Sequence, residues 1–239
     1  MKISGSGKLS GGKIDEELYT TGSTRIEGDF ECDGFKCSGS FRGSGNLIVH
    51  GDIKSSGSFR LEGSINGDGD VGSSGSTRVG GKISILGYFK SSGSLRVGDN
   101  IKALEGINFS DSSNIRGNIY SERGILISGS TTVYGNVDGN VIDLGVGRVL
   151  GSRGAFKHPV KVYGSVHASK SVNLVRALVE GDVRGKHVII GKNTEILGKV
   201  YYVDTIEKHE KSILNHDPIQ ISAKELDNQT TINKQNLKN

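Results

Sequence analysis

The 239-residue sequence predicts an all-β fold: a parallel β-helix of about eleven triangular coils, followed by a polar tail. Three observations point there. A short segment, Ser23-Thr24-Arg25-Ile26-Glu27-Gly28-Asp29-Phe30, is rewritten along the chain, as in Ser58-Phe59-Arg60-Leu61-Glu62-Gly63-Ser64-Ile65 and Ser76-Thr77-Arg78-Val79-Gly80-Gly81-Lys82-Ile83. One apolar column, Ile14, Phe30, Leu47, Ile65, Ile83, Ile101, Ile119 and Val137, advances by 16, then 17, then repeatedly 18 residues. No helix-length pattern fits inside that period, so each repeat is one coil of short strands.

The elements of a coil follow in order. In the first copy, Thr24, Ile26, Gly28 and Phe30 share the inner face of an extended strand, while Arg25, Glu27 and Asp29 point out. The outward basic position recurs at 8, 25, 42, 60, 78, 96 and 116. A second inner column is Phe35, Ile53, Val71 and Phe89. Cys37, Ser55, Ser73 and Ser91 follow it two residues later, and Gly34, Gly51, Gly69 and Gly87 precede it. Three faces of about six residues give a triangular section, with glycine expected at corners that need positive φ. Strands of successive coils stack about 4.8 Å apart, so eleven coils predict a rod on the order of 50 Å long. One coil buries too few apolar side chains to stand alone, and several stacked coils are required.

After Val137 the rhythm breaks. The next matching motif, Val162-Tyr163-Gly164-Ser165-Val166, ends 29 residues on instead of 18. An insertion of about eleven residues, spanning roughly 143–159, is expected as a basic surface bulge carrying Arg148, Arg153, Lys157 and His158. Val166, Val183 and Val200 then resume a 17-residue step. The β-helix is assigned to residues 1–203 and the glycine-free segment 204–239 to a tail. There, Ile206, Ile213, Leu214, Ile219 and Ile221 are expected to lay a short helix or strand over the last coil. Disorder is expected beyond Asp227.

Composition removes several functional classes. Net charge is +4, with six acidic and five basic residues from Asp204 onward, so the repeats are too weakly basic to imply nucleic acid. Cys32 and Cys37 have no second pair to complete a zinc site and are expected as free thiols, with Cys37 a small filler in a serine column. The start, Met1-Lys2-Ile3-Ser4-Gly5, has no apolar signal core, and no apolar run is long enough for a membrane span, which points to the cytoplasm. His50, His167 and His187 fall at different offsets from their nearest repeat glycine, which disfavours a metal centre built between coils. Gly67-Asp68-Gly69-Asp70 occurs once, whereas calcium rolls repeat such a motif. With no phosphate loop and no Ser, His and acid grouping, no catalytic residue, cofactor or metal is expected. The Arg column reads as a solvated face, with Glu27 and Glu62 as partial counterions.

The motif G-S-x-R-[IVL]-x-G-x-[IVF], at Gly22–Phe30, Gly57–Ile65 and Gly75–Ile83, resembles that of the bactofilins, the polymer-forming cytoskeletal proteins of bacteria. Glu31-Cys32-Asp33-Gly34-Phe35-Lys36-Cys37-Ser38-Gly39-Ser40 is also similar to a segment of that family, and the likeness spans roughly residues 1–203. The resemblance implies a right-handed β-helix that polymerises end to end without nucleotide into non-polar filaments. Those filaments scaffold cell shape, wall-modifying enzymes or motility machinery. The implied partners are further copies of the chain, other bactofilins, and wall or motility proteins. Members often carry a short apolar N-terminal tail for membrane attachment. Here Met1 leads directly into the first coil, so membrane association is expected only through partners.

Physics points the same way. A β-helix ends in unpaired N–H and C=O groups above an apolar layer, an adhesive edge unless it is capped. The expected contact residues are Ile3, Leu9 and Ile14 at one end. At the other end they are Val200 and Tyr202, unless the tail folds back over them. The competing readings are a hexapeptide-repeat acyltransferase, which needs apolar residues every six positions and a catalytic histidine, and a secreted adhesin or polysaccharide-processing β-helix. The mixture of 17- and 18-residue coils disfavours the first, and the lack of a signal peptide the second.

Overall fold

The structure, a computed structural model, describes residues 1–146 and 160–228. The expected basic bulge, with Arg148, Arg153, Lys157 and His158, and the chain end past residue 228 lie outside the described residues. The chain divides into two compact units, 1–117 and 118–239. Each is a parallel β-solenoid, with about 11 turns between them. Helix is confined, among the described residues, to 223–228.

In the first unit a coil is three short strands, such as Leu47–Val49, Ile53–Ser55 and Ser58–Leu61. Each pairs in parallel with its counterparts one coil before and after. The predicted apolar column is an in-register ladder: Phe30 stands on Leu47, Leu47 on Ile65, Ile65 on Ile83 and Ile83 on Ile101. The second column runs Leu18, Phe35, Ile53, Val71, Phe89 and Ile107, and Cys37 stacks on Ser55 as expected. Alternation puts these side chains inside, where nearly all are at most 5 % exposed, and their burial drives the stacking. In the second unit Ile119 stands on Val137, Val137 on Val166, Val166 on Val183 and Val183 on Val200. The 29-residue step is therefore one coil: Thr131–Val133 pairs with Val160–Val162, and the extra chain enters after the strand Val137–Leu144.

Two column expectations need correction. Ile14 does not stand on Phe30. Gly12 pairs with Phe30 instead, because the first long strand slips register between Ser10 and Gly12, where Gly12 has a φ of +140°. Ile14 is carried two residues along, and its N–H donates to Glu31 O at 3.0 Å. Arg116 leaves the basic column, since Asn114 is the residue paired with Arg96.

The corner glycines are explained by proximity rather than by φ. Gly34, Gly51, Gly69 and Gly87, the corners expected to need positive φ, are not among the positive-φ residues, and neither are Gly39, Gly57, Gly75 and Gly93 of the next corner. These last four are the closest. They stack so closely that a Cβ on Gly57 would lie 1.9 Å from Gly39 O, and one on Gly75 2.0 Å from Gly57 O. A Cβ at these glycines would push the neighbouring coils apart, so glycine here accommodates the spacing that the ladder bonds set.

A further column emerges at the corner just before the apolar ladder. Asn46 N–H donates to Asp29 Oδ1 at 2.7 Å, and Ser64 N–H to Asn46 Oδ1 at 2.9 Å. In the second unit Asn136 N–H donates to Asn118 Oδ1, Ser165 N–H to Asn136 Oδ1, Asp182 N–H to Ser165 Oγ and Lys199 N–H to Asp182 Oδ1, at 2.8–3.0 Å. Each corner side chain thus satisfies a turn N–H that no ladder bond reaches. Asn136→Ala is expected to orphan the Ser165 N–H beside the interrupted coil and to cost about 1–3 kcal/mol. Chemical denaturation of the variant checks it.

The coil continues past residue 203, where its glycine signature ends. Thr205–Lys208 pairs with His187–Ile190, Ile213–Leu214 with Glu195–Ile196, and Tyr201–Tyr202 with Ile219–Gln220. The chain then forms the helix over 223–228. Ser222 begins it with a capping box, its Oγ 2.7 Å from Glu225 Oε2 while the Glu225 N–H returns to Ser222 Oγ.

Candidate functional site

The two terminal coils differ in how well they are enclosed. At the N-terminal side, Lys2–Ile3 pairs only with the strand Glu17–Thr20, and Ser6–Lys13 only with Ser23–Cys32, among the described residues. Ile3, Leu9 and Ile14 are each partly exposed, in contrast to the fully enclosed ladder above them. The C-terminal side is closed further. Val200 is 0 % exposed, so it lies within the core and not at an open end. Tyr202 is paired with Gln220, and the Ile221 N–H donates to Tyr202 O. Leu226, in the short helix, is 1 % exposed. What remains outward on this last coil is Ile213, 48 % exposed, and Ile219, 39 % exposed.

Along the side of the first unit the cations form two files. Lys8, Arg25, Arg42, Arg60, Arg78 and Arg96 stack one per coil. Glu27 pairs with the first two, at 2.9 Å from Lys8 and 3.2 Å from Arg25. Glu62 makes no ion pair among the described residues, contrary to its expected role as counterion. The second file, on the neighbouring face, is Lys36, Lys54, Gly72 and Lys90.

The histidines are spread as the sequence spacing implied. His50 bridges coils, with Nε2 2.9 Å from Glu31 Oε1 and Nδ1 3.1 Å from Asp68 Oδ2. His167 lies 3.2 Å from Asp138 and pairs in register with Arg184, while His187 pairs with Thr205. The two carboxylates of Gly67-Asp68-Gly69-Asp70 are engaged within the coil stack, Asp68 by His50 and Asp70 by the Tyr88 N–H at 2.8 Å.

Hydrogen bonds from the His50 ring to the Glu31 and Asp68 carboxylates raise the His50 pKa, and those that Glu31 accepts from His50 and Lys13 hold it below the usual carboxylate range. A raised histidine stabilises the folded state below its ordinary value, and that contribution is lost as pH rises through the folded value. The Glu31 contribution is lost in the opposite direction, as pH falls. Between about pH 5 and about pH 8 the thermal midpoint of the wild type is therefore expected to fall relative to that of His50→Gln. Scanning calorimetry of both proteins across that range is the measurement.

The cysteines are enclosed, Cys32 at 0 % and Cys37 at 2 % exposure, and unpaired. Burial pushes the Cys32 thiol up to about 11, which makes it a poor nucleophile at neutral pH. No described helix is long and apolar enough to cross a membrane. No family model, curated protein or solved structure matches the chain.

Proposed function

We propose that this chain is a non-enzymatic cytoplasmic scaffold that assembles end to end, without nucleotide, into filaments of the bactofilin kind. The observation that supports it is the first coil. Its strands have a neighbour on one side only among the described residues, and Ile3, Leu9 and Ile14 stand half-covered at its edge. Pairing two such coils adds parallel or antiparallel ladder bonds and buries the apolar edge in one step. In a non-polar filament each end meets its own kind. The first coils of two copies face each other, and the last coils meet through Ile213 and Ile219 around the capping helix. Wall or motility proteins are the natural cargo of such a filament, and membrane contact runs through them.

Electron microscopy and sedimentation of the purified chain without nucleotide test the assembly. Filaments whose mass grows with concentration are expected, and monodisperse particles at high concentration would contradict it. An acyl-donor turnover assay separates the scaffold from the acyltransferase alternative, with no turnover expected.

A further inference from the structure

We propose that the trough along the Lys–Ser corner of the first unit binds an acidic polysaccharide, a linear, hydroxyl-rich polyanion lying along the stacking direction of the coils. The trough has a volume of about 430 Å³ and runs from Tyr19 to Ser92. Lys36, Lys54 and Lys90 stand along it. Two residues past each position of that file come the exposed hydroxyls of Ser38, Ser56, Ser74 and Ser92, one per coil. This proposal is independent of end-to-end assembly, since it concerns the side of the coil.

Gly72 is the telling residue. It occupies the position at which the file would carry another lysine, in the middle of the strand Val71–Ser73. It has no positive φ, and a Cβ there would meet only Ile53 O, at 4.0 Å. Gly75, three residues on, would clash with backbone at 2.0 Å. Neither backbone nor packing therefore demands glycine at 72. What its bare backbone does is keep the trough open between Lys54 and Lys90.

The charge is compensated only in part. Lys36 and Lys54 are held by Glu17 and Asp52 at 2.8 and 3.0 Å. Lys90 has no carboxylate partner among the described residues, nor do Arg42, Arg60, Arg78 and Arg96 across the corner. Residues 1–117 contain fourteen Lys and Arg and fourteen Asp and Glu, so the strip is a local cationic excess on a neutral unit. A polyanion laid along it releases counterions and gains charge-assisted bonds.

The walls select the class. The strands flanking the trough have parallel neighbours on both sides, so no free edge exists for a peptide to join. Tyr19, at one end, is the single aromatic among the lining residues, so unpaired nucleic-acid bases find no stacking platform. A concave trough does not fit a flat lipid surface. Serine hydroxyls both donate and accept. Repeated about every 4.8 Å, they match a chain of hydroxylated rings that carries carboxylates.

Titration calorimetry of the full chain with polygalacturonate tests the proposal, with neutral dextran, duplex DNA and phosphatidylglycerol vesicles as comparators. Polygalacturonate is expected to bind with an affinity that falls as salt rises, and dextran not to bind. Gly72→Ile, which fills the trough without changing charge, and the exposed Lys90→Gln are each expected to weaken binding about tenfold while the thermal midpoint holds. Should Gly72→Ile unfold, Lys90→Gln still decides. Absence of polygalacturonate binding, full affinity in the folded variants, or equal affinity for DNA or vesicles would overturn the proposal.

Discussion

Gly57→Ala is expected to destabilise the first unit by about 3 kcal/mol or more, although it adds one methyl group to a residue at the coil surface. The new Cβ would stand 1.9 Å from Gly39 O, far inside contact distance. The obstacle is backbone and cannot rotate away, so the two coils must separate there and stretch the ladder bonds on both sides of the corner. Gly72→Ala is the internal control. Its Cβ meets nothing nearer than 4.0 Å, and exchanging glycine for alanine reduces the freedom of the unfolded chain, so this variant is expected to be neutral or stabilised by up to about 1 kcal/mol. Equilibrium denaturation of the pair reads the difference. Equal stability of the two variants would show that close coil contact does not require glycine at the corner.

Phe41→Ala is the second large effect, expected at about 4 kcal/mol. Phe41 is 1 % exposed and packs against two rings, its centroid 4.8 Å from that of Phe35 in an edge arrangement and 4.9 Å from that of Phe59 in a stacked one. Phe35 and Phe59 also meet edge-on at 5.7 Å. Removing this ring from the three-ring cluster leaves a cavity bounded by ladders that hydrogen bonds hold in register, so the coils cannot collapse to fill it. Phe41→Leu is expected to recover more than half of the loss, because it restores most of the volume. Thermal and urea unfolding of both variants give the values.

Much of this arrangement was legible because each coil repeats a nearly fixed length. The alternation around Ile65 and Ile83 assigns inside and outside, and the 18-residue step assigns neighbours. Features broken from that rhythm were hidden. Ile14 slips because Gly11 and Gly12 insert an irregularity into the first strand, and a 16-residue step read alone looks like a short coil. The terminal coil was legible only as a short helix or strand laid over the last coil, because Thr205–Lys208 and Ile219–Gln220 lack the Ser-Gly-Ser corners that mark most coils of the first unit. Val200, read as an end residue, is therefore interior.

The corner acceptors Asn46, Asn118, Asn136 and Asp182 did leave a signal. A short polar residue recurs immediately before Leu47, Ile119, Val137 and Val183, and it reads as a capping column once the vertical neighbour is known. The reason for glycine at the corners was not legible, since positive φ and close approach select the same residue.

The most direct test of the assembly is electron microscopy of the purified wild type beside Leu9→Arg, at matched concentration and without nucleotide. Leu9 stands at the half-covered edge of the first coil, paired among the described residues to Ile26 on one side only, so a charge there should block docking while leaving the ladders above it intact. The expected result is filaments of wild type, and short particles of Leu9→Arg with an unchanged thermal midpoint. Wild type that stays as single particles, or Leu9→Arg filaments indistinguishable from wild type, would contradict assembly through the first coil.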